Sequence, residues 1–194
     1  AQDVHEVPDI DLRSAMALAA DRDSIARQYA NGMRDVFEAV ALLPPPPGFS
    51  LMAGAIDAAS QHHVERIYLH WLAGECDSHI VRKQGEDAAQ NVMAAAQAWL
   101  ADGRGAGNLD ADPAFAAWDG ALKASGVNPG TTADLTVATL MIAETWGTPR
   151  SAPLFAPSRA GDAAFCETMA HYQRLSASPS AVRRLLIAND QIDV

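Results

Sequence analysis

Apolar residues recur at helical spacing along most of this chain, and the breaks between runs carry proline, glycine or aspartate. Leu12, Ala15, Met16 and Ala19 share one face of a helix that Asp11 is placed to cap and that reaches Ala20. After the Asp21-Arg22-Asp23 corner, Ile25, Tyr29, Met33, Val36, Phe37 and Val40 keep the 3.6-residue period, which predicts one longer helix to about Leu43. Pro44 to Pro47 stop it and form a stiff polyproline-like link. Ser50 is placed to cap a third helix to about Leu72, with Met52, Ile56, Ile67 and Leu72 as its buried candidates. Asp77 caps a short helical segment that Gly85 ends, and Glu86 to Leu100 form the next helix. Ala101 to Pro113 is a Gly/Asp-rich loop, followed by a helix over Ala114–Ser125 that places Phe115, Trp118 and Leu122 on one side.

A helix over Thr132 to about Thr145 follows, and Pro149, Pro153 and Pro157 make the next stretch irregular. Helices near Asp162 to Leu175 and Ala181 to Ala188 finish the pattern. No alternating run long enough for a strand interrupts it, and no internal repeat is present. The expectation is an all-α, single-domain helical bundle. Within it, 1–11 is a polar leader, 12–145 the helical domain, and 146–194 an irregular segment with C-terminal helices.

Composition narrows the function classes. The chain has 194 residues, 49% of them hydrophobic, and a net charge of −10. That size allows a real core, and the negative charge argues against non-specific nucleic-acid binding. An anionic ligand must then be met by local positive charge or by a metal. Cys76 and Cys166 lie far apart and match no zinc or redox spacing, which suits free thiols in a reducing cytoplasm. No apolar run approaches the roughly 20 residues that span a bilayer, and the acidic, polar start is unlike a secretory signal. A cytoplasmic protein without a membrane partner is expected.

Two segments carry candidate chemistry. In GVNPGTTADLTVATL, Gly126 to Leu140, the Asn128-Pro129-Gly130 turn precedes a strong helix start. Thr131 is placed as N-cap and Asp134 three residues on as its partner in a variant capping box. Free amides and the positive end of the helix dipole gather there, so the Gly130–Thr132 amides can hold a phosphate. Asp134 would repel a bare phosphate but can hold a Mg²⁺ that bridges to one. The other reading is a well-capped core helix after a turn. In CDSHIVRKQG, Cys76 to Gly85, His79, Arg82 and Lys83 fall at i, i+3 and i+4 on one helix face, with Asp77 at its N-terminal edge. A guanidinium beside an ammonium suits a polyphosphate. On charge alone the same residues also read as a solvated face paired with Glu86 and Asp87.

His62, His63, His70 and Glu65 supply only one Glu/His pair at three-residue spacing, so a partly exposed polar helix face is the better reading than a metal centre. The glycines of Asp102–Asn108 follow no strand, so the dinucleotide-binding context fails.

These two segments, in this order, resemble the triphosphoribosyl-dephospho-CoA synthase family. An Asn-Pro-Gly turn leading into an Ala-Asp-Leu helix is similar to its C-terminal signature, and CDSHIVRKQG is similar to its Asp-Thr/Ser-x-Ile-x-Arg-Lys-x-Gly segment. With the helical run from Leu12 to Val40, the resemblance covers roughly Leu12 to Ile142. It implies a transferase in which a ribose 2′-hydroxyl of 3′-dephospho-CoA displaces adenine from C1 of the ATP ribose. ATP and a dephospho-CoA-like acceptor are then the partners, with Mg²⁺ accompanying ATP. Asp134 and Asp77 become candidate catalytic carboxylates, with Asp134 on Mg²⁺ or the attacking hydroxyl. His79, Arg82, Lys83, Asn128, Gly130, Thr131 and Thr132 become substrate-binding candidates. Relatives stand beside one-carbon (tetrahydromethanopterin-linked) genes, which suggests a variant acceptor. The family's upstream Lys-Pro-Gly-Leu-Val-like and Asn-Thr-His-Lys/Arg-Gly-like segments have no counterpart here, and the tail from Trp146 matches no family pattern. A homo-oligomer or a partner chain supplying that half is one expectation; a non-catalytic helical subunit binding a nucleotide or partner protein is the competing one.

Overall fold

The computed structural model describes residues 9–43, 58–101, 109–152 and 156–176. The polyproline link, the Ser50 cap with Met52 and Ile56, the Asp102–Asn108 glycines and the helix expected near Ala181–Ala188 lie outside the described residues. Nine α-helices and no strand are found among those described: α1 (Leu12–Ala17), α2 (Ser24–Asn31), α3 (Arg34–Val40), α4 (Ala58–Gly74), α5 (Ser78–Gln84), α6 (Glu86–Ala101), α7 (Pro113–Ala124), α8 (Gly130–Thr145) and α9 (Ala163–Ser176). Short 3₁₀ turns sit at Leu109–Ala111, Pro149–Ser151 and Pro157–Arg159. No described helix is long and apolar enough to cross a membrane.

Asp11 caps α1 as expected, its carboxylate accepting from the Ser14 amide at 2.8 Å. The single helix expected through Leu43 is instead two. Gly32 (φ 70°) and Met33 (φ 62°) both turn left-handed, and the Met33 amide closes back on the Gln28 carbonyl at 2.7 Å. Side-chain hydrogen bonds pin the break. Asn31 accepts from the Arg34 amide at 3.1 Å, and Gln28, 1% exposed, accepts from the Val36 amide and donates to Asp35 at 2.6 Å. Hydrogen bonding of this kind outweighs a continuous apolar period, which records faces but not chain breaks.

α4 organises the core because it is buried on two sides. Ile67 and Trp71 meet Val36, Ala39 and Leu43 around α3 and Leu135 and Leu140 of α8. Leu69, Leu72 and Ala73 meet Ile80 of α5, Ala89, Val92 and Ala96 of α6, and Leu109. Ile67, Leu69 and Leu72 are fully buried, each contributing about 1.5–3 kcal/mol of transfer free energy. α8 also buries threonines. Thr136 and Thr139 donate to the carbonyls one turn back at 2.8 Å, and Thr139 accepts from the Trp71 indole at 3.1 Å. Those hydroxyls therefore enter the interior without orphaned polar groups. α4 and α8 thus form a rigid frame, against which α5 is set at the N-terminal end of α8.

Candidate functional site

Asp77 caps α5, as its position before Ser78 predicts. One carboxylate oxygen accepts from the amides of His79 at 2.9 Å and Ile80 at 3.1 Å. The other reaches a helix start 55 residues away, accepting from the Thr132 amide at 2.7 Å and the Thr132 hydroxyl at 2.8 Å. One buried carboxylate, 3% exposed, therefore caps two helices and faces the positive ends of both dipoles. Further contacts close the same seam. The Ser78 and Thr131 hydroxyls are 2.8 Å apart, and the Gln84 amide donates to the Gly126 carbonyl at 3.0 Å.

This geometry revises three expectations. α8 begins at Gly130 with Pro129 in the cap position, so Thr131 is not the N-cap and no capping box with Asp134 forms. The Gly130 amide turns back to the Asn128 carbonyl at 2.8 Å and the Thr132 amide is bonded to Asp77, so those amides are not a free phosphate cradle. A phosphate at that point would also meet the Asp77 carboxylate. Asp77 itself holds four donors, which is the full acceptor capacity of a carboxylate. Its four acceptor positions are all taken up by the two helices.

His79 lies over Gly130. A Cβ built on Gly130 would stand 3.1 Å from His79 Nδ1, so the glycine is needed for the ring to pack this closely. Arg82 Nη2 is 3.2 Å from the same Nδ1. A guanidinium only donates, so Nδ1 is the acceptor in this contact. His79 Nε2 is buried with no hydrogen-bond partner among the described residues. Tyr68 stands nearby on α4. Its phenol is pushed up to about 12 by burial first, and then by the carboxylates of Asp77 and Asp119.

Thus the structure joins Asp77, His79, Arg82, Gly130, Thr131 and Thr132 at one seam. Lys83, Asn128 and Asp134 are exposed, and their side chains make no hydrogen bond or ion pair with a described residue.

Two motifs separated in sequence are thus bonded to one another in space. The family model for ATP:dephospho-CoA triphosphoribosyl transferase (CitG) matches residues 1–149, about three quarters of the chain. The chain belongs to the CitG family. The match extends past both ends of the Leu12–Ile142 resemblance and stops short of α9. No curated protein and no solved structure matches it.

The residues present fit a Mg²⁺ that arrives with a triphosphate better than a protein-enclosed one. Among the described residues no group of three or more His, Cys, Asp or Glu side chains is arranged to hold a metal ion. Mg²⁺ ordinarily takes one or two carboxylates and substrate phosphates, and the exposed, unpaired carboxylate of Asp134 suits that use. Glu65, one of the histidine-cluster candidates, instead ties α4 to the 109–111 turn by accepting from the Leu109 amide at 3.3 Å.

The other side of α5 holds a polar region that sequence reasoning missed. A cleft of about 360 Å³ is lined by Asp21, Asp23, Arg27, Glu75, Cys76 and Glu86, among others. Arg27 is ion-paired to Glu75 and, at 3.1 Å, to Asp35. The Glu75 hydrogen bond comes first in holding its guanidinium above the usual range. Burial, then Glu86 and Glu75, pushes the Cys76 thiol up, so it stays protonated at neutral pH. The four carboxylates of this cleft, Asp21, Asp23, Glu75 and Glu86, outnumber its two cations, Arg22 and Arg27. Arg27 and Glu75 are 48 residues apart and no local pattern joins them.

Proposed function

We propose that this chain transfers the triphosphoribosyl group of ATP to 3′-dephospho-CoA. Membership of the CitG family is the observation that supports the reaction. The bond from the ATP ribose C1 to adenine breaks, and the 2′-hydroxyl oxygen of the acceptor bonds to C1. The hydroxyl proton ends on the departing adenine. Positive charge grows on the ribose ring as the adenine bond lengthens, as in glycoside chemistry.

Arg82 and Lys83 hold the triphosphate, the guanidinium as a two-pronged donor and the ammonium as a point charge. His79 backs the Arg82 guanidinium through its Nδ1. Asp134, one turn into α8, accepts the hydroxyl proton in passing or takes the Mg²⁺ of the nucleotide. When bound, Mg²⁺ would neutralise part of the triphosphate charge. Asn128, exposed beside the α8 start, meets the ribose or the acceptor in this reading.

Incubation with ATP, Mg²⁺ and dephospho-CoA tests this reading. Adenine should appear in step with loss of dephospho-CoA. Adenine released only with a tetrahydromethanopterin-linked acceptor would keep the transferase and replace the acceptor. No adenine with either, at any Mg²⁺ concentration, would make the chain a non-catalytic helical subunit.

A further inference from the structure

The structure assigns Asp77 a positioning role: its carboxylate fixes the first turn of α8 against α5 and so sets where His79, Arg82 and Asp134 stand relative to one another. The inference rests on the transferase reading for its kinetic consequence but not for its geometry. Three observations carry it. Asp77 spends every acceptor position on the two helices, two on α5 and two on Thr132. It is 3% exposed, so nothing in solution replaces those bonds. Finally, the groups it joins adjoin the exposed side chains of Arg82 and Asp134. His79 is the second residue of α5 and donates its amide to Asp77, while its ring lies on Gly130, two residues before Thr132. Arg82 is tied to the His79 ring, and Asp134 stands two residues beyond Thr132. A shift of α8 along the seam would move Gly130 from under His79, and with it the Arg82 guanidinium.

A carboxylate is required here because both of its oxygens must accept. Asparagine supplies one accepting oxygen and one NH₂, so Asp77→Asn keeps one helix cap and sets a donor against the donors of the other. Thr132→Val is the subtler change. It keeps the Thr132 amide bond and the side-chain shape but deletes the hydroxyl bond.

The experiment combines amide hydrogen exchange with adenine-release kinetics on wild type, Asp77→Asn, Thr132→Val and Thr132→Ser. In Asp77→Asn, the expected result is faster exchange at Thr132 or at the His79–Ile80 amides, with KM for ATP up by about tenfold or more, the equivalent of one charge-assisted bond misplaced. kcat should fall less than KM rises, and the pH profile should keep its shape. Thr132→Val should show a smaller KM effect in the same direction, and Thr132→Ser should restore it, because serine returns the hydroxyl. A general-base role would look different. Loss of kcat and of the basic pH limb in Asp77→Asn, with exchange unchanged and Thr132→Val silent, would overturn the assignment. If wild type releases no adenine, the transferase reading fails by itself. The exchange arm then still decides the junction, and unchanged protection in Asp77→Asn would overturn it.

Discussion

The two ends of α8 are closed by side chains from far along the chain, but with opposite chemistry. At the N-terminal end a buried carboxylate, Asp77, takes the Thr132 amide and hydroxyl. At the C-terminal end Gly147, left-handed at φ 73°, donates its amide to the Gln173 side chain at 2.9 Å, and its carbonyl accepts from the Arg174 guanidinium at 2.6 Å. Gln173 also accepts from the Ser151 hydroxyl at 2.8 Å. The anion sits at the positive end of the dipole and the cation at the negative end, so each closure favours the helix. Yet the N-terminal end carries exposed cations and a carboxylate with no ion-pair partner among the described residues. The other is closed by α9, outside the match, with its polar groups paired to one another. Capping stabilises both; only the first leaves exposed charges without ion-pair partners beside it.

The largest expected effect breaks the N-terminal closure. Asp77→Ala removes caps from two helices at once and should cost about 2–4 kcal/mol, roughly 1–2 for each cap. Urea denaturation checks this, and a loss below that of an ordinary single cap would contradict the shared role.

Replacing Arg82 probes the same end without touching its stability. Arg82→Ala should weaken ATP binding by about 1.5–3 kcal/mol, the range for a charge-assisted bond, while the urea midpoint stays in place. Calorimetry alongside denaturation separates the two. A lowered midpoint with unchanged ATP affinity would make Arg82 structural.

At the opposite end, Gln173→Ala leaves the Gly147 amide and the Ser151 hydroxyl without their shared acceptor and should cost about 1–3 kcal/mol. Adenine release by the folded fraction should be unaffected. A fall in its kcat would tie α9 to the reaction and dissolve the contrast between the ends.

Tyr68 gives a smaller, pH-dependent effect at the seam. Its phenol stays protonated to about pH 12 in the folded chain, against 10.0 as its ordinary value. The unfolded chain therefore ionises first, so stability is intact below pH 10 and falls as pH rises through 12. Tyr68→Phe should flatten that part of the stability curve. An unchanged curve would locate the alkaline loss elsewhere.

Much of this was legible in the sequence, and the parts that were not share a physical reason. Period gave the helices, because Ile67, Leu72, Leu135 and Leu140 must all face a core. Local chemistry gave the Asp11 and Asp77 caps. What period cannot register is a helix broken by side-chain hydrogen bonds: Gln28 and Asn31 end α2 and start α3 inside an unbroken apolar pattern. Nor can local motifs show a cap supplied from elsewhere. Thr131 and Asp134 match a capping box by spacing, but Asp77, a residue 55 positions from Thr132, had already taken the role. The order of the two motifs carried the family resemblance; only the fold shows that an acid bonds them together.

The central claim is that Asp77 and the exposed cations act as one unit toward a nucleotide triphosphate. A double-mutant cycle in ATP binding tests it most directly, with calorimetric titrations of wild type, Arg82→Ala, Asp77→Asn and the double variant at fixed Mg²⁺. The account predicts that Arg82→Ala costs less in the Asp77→Asn background than in wild type, with a coupling energy of about 0.5–3 kcal/mol. Additivity within about 0.3–0.5 kcal/mol, the behaviour of independent sites, or no heat from ATP with wild type at all, would contradict it.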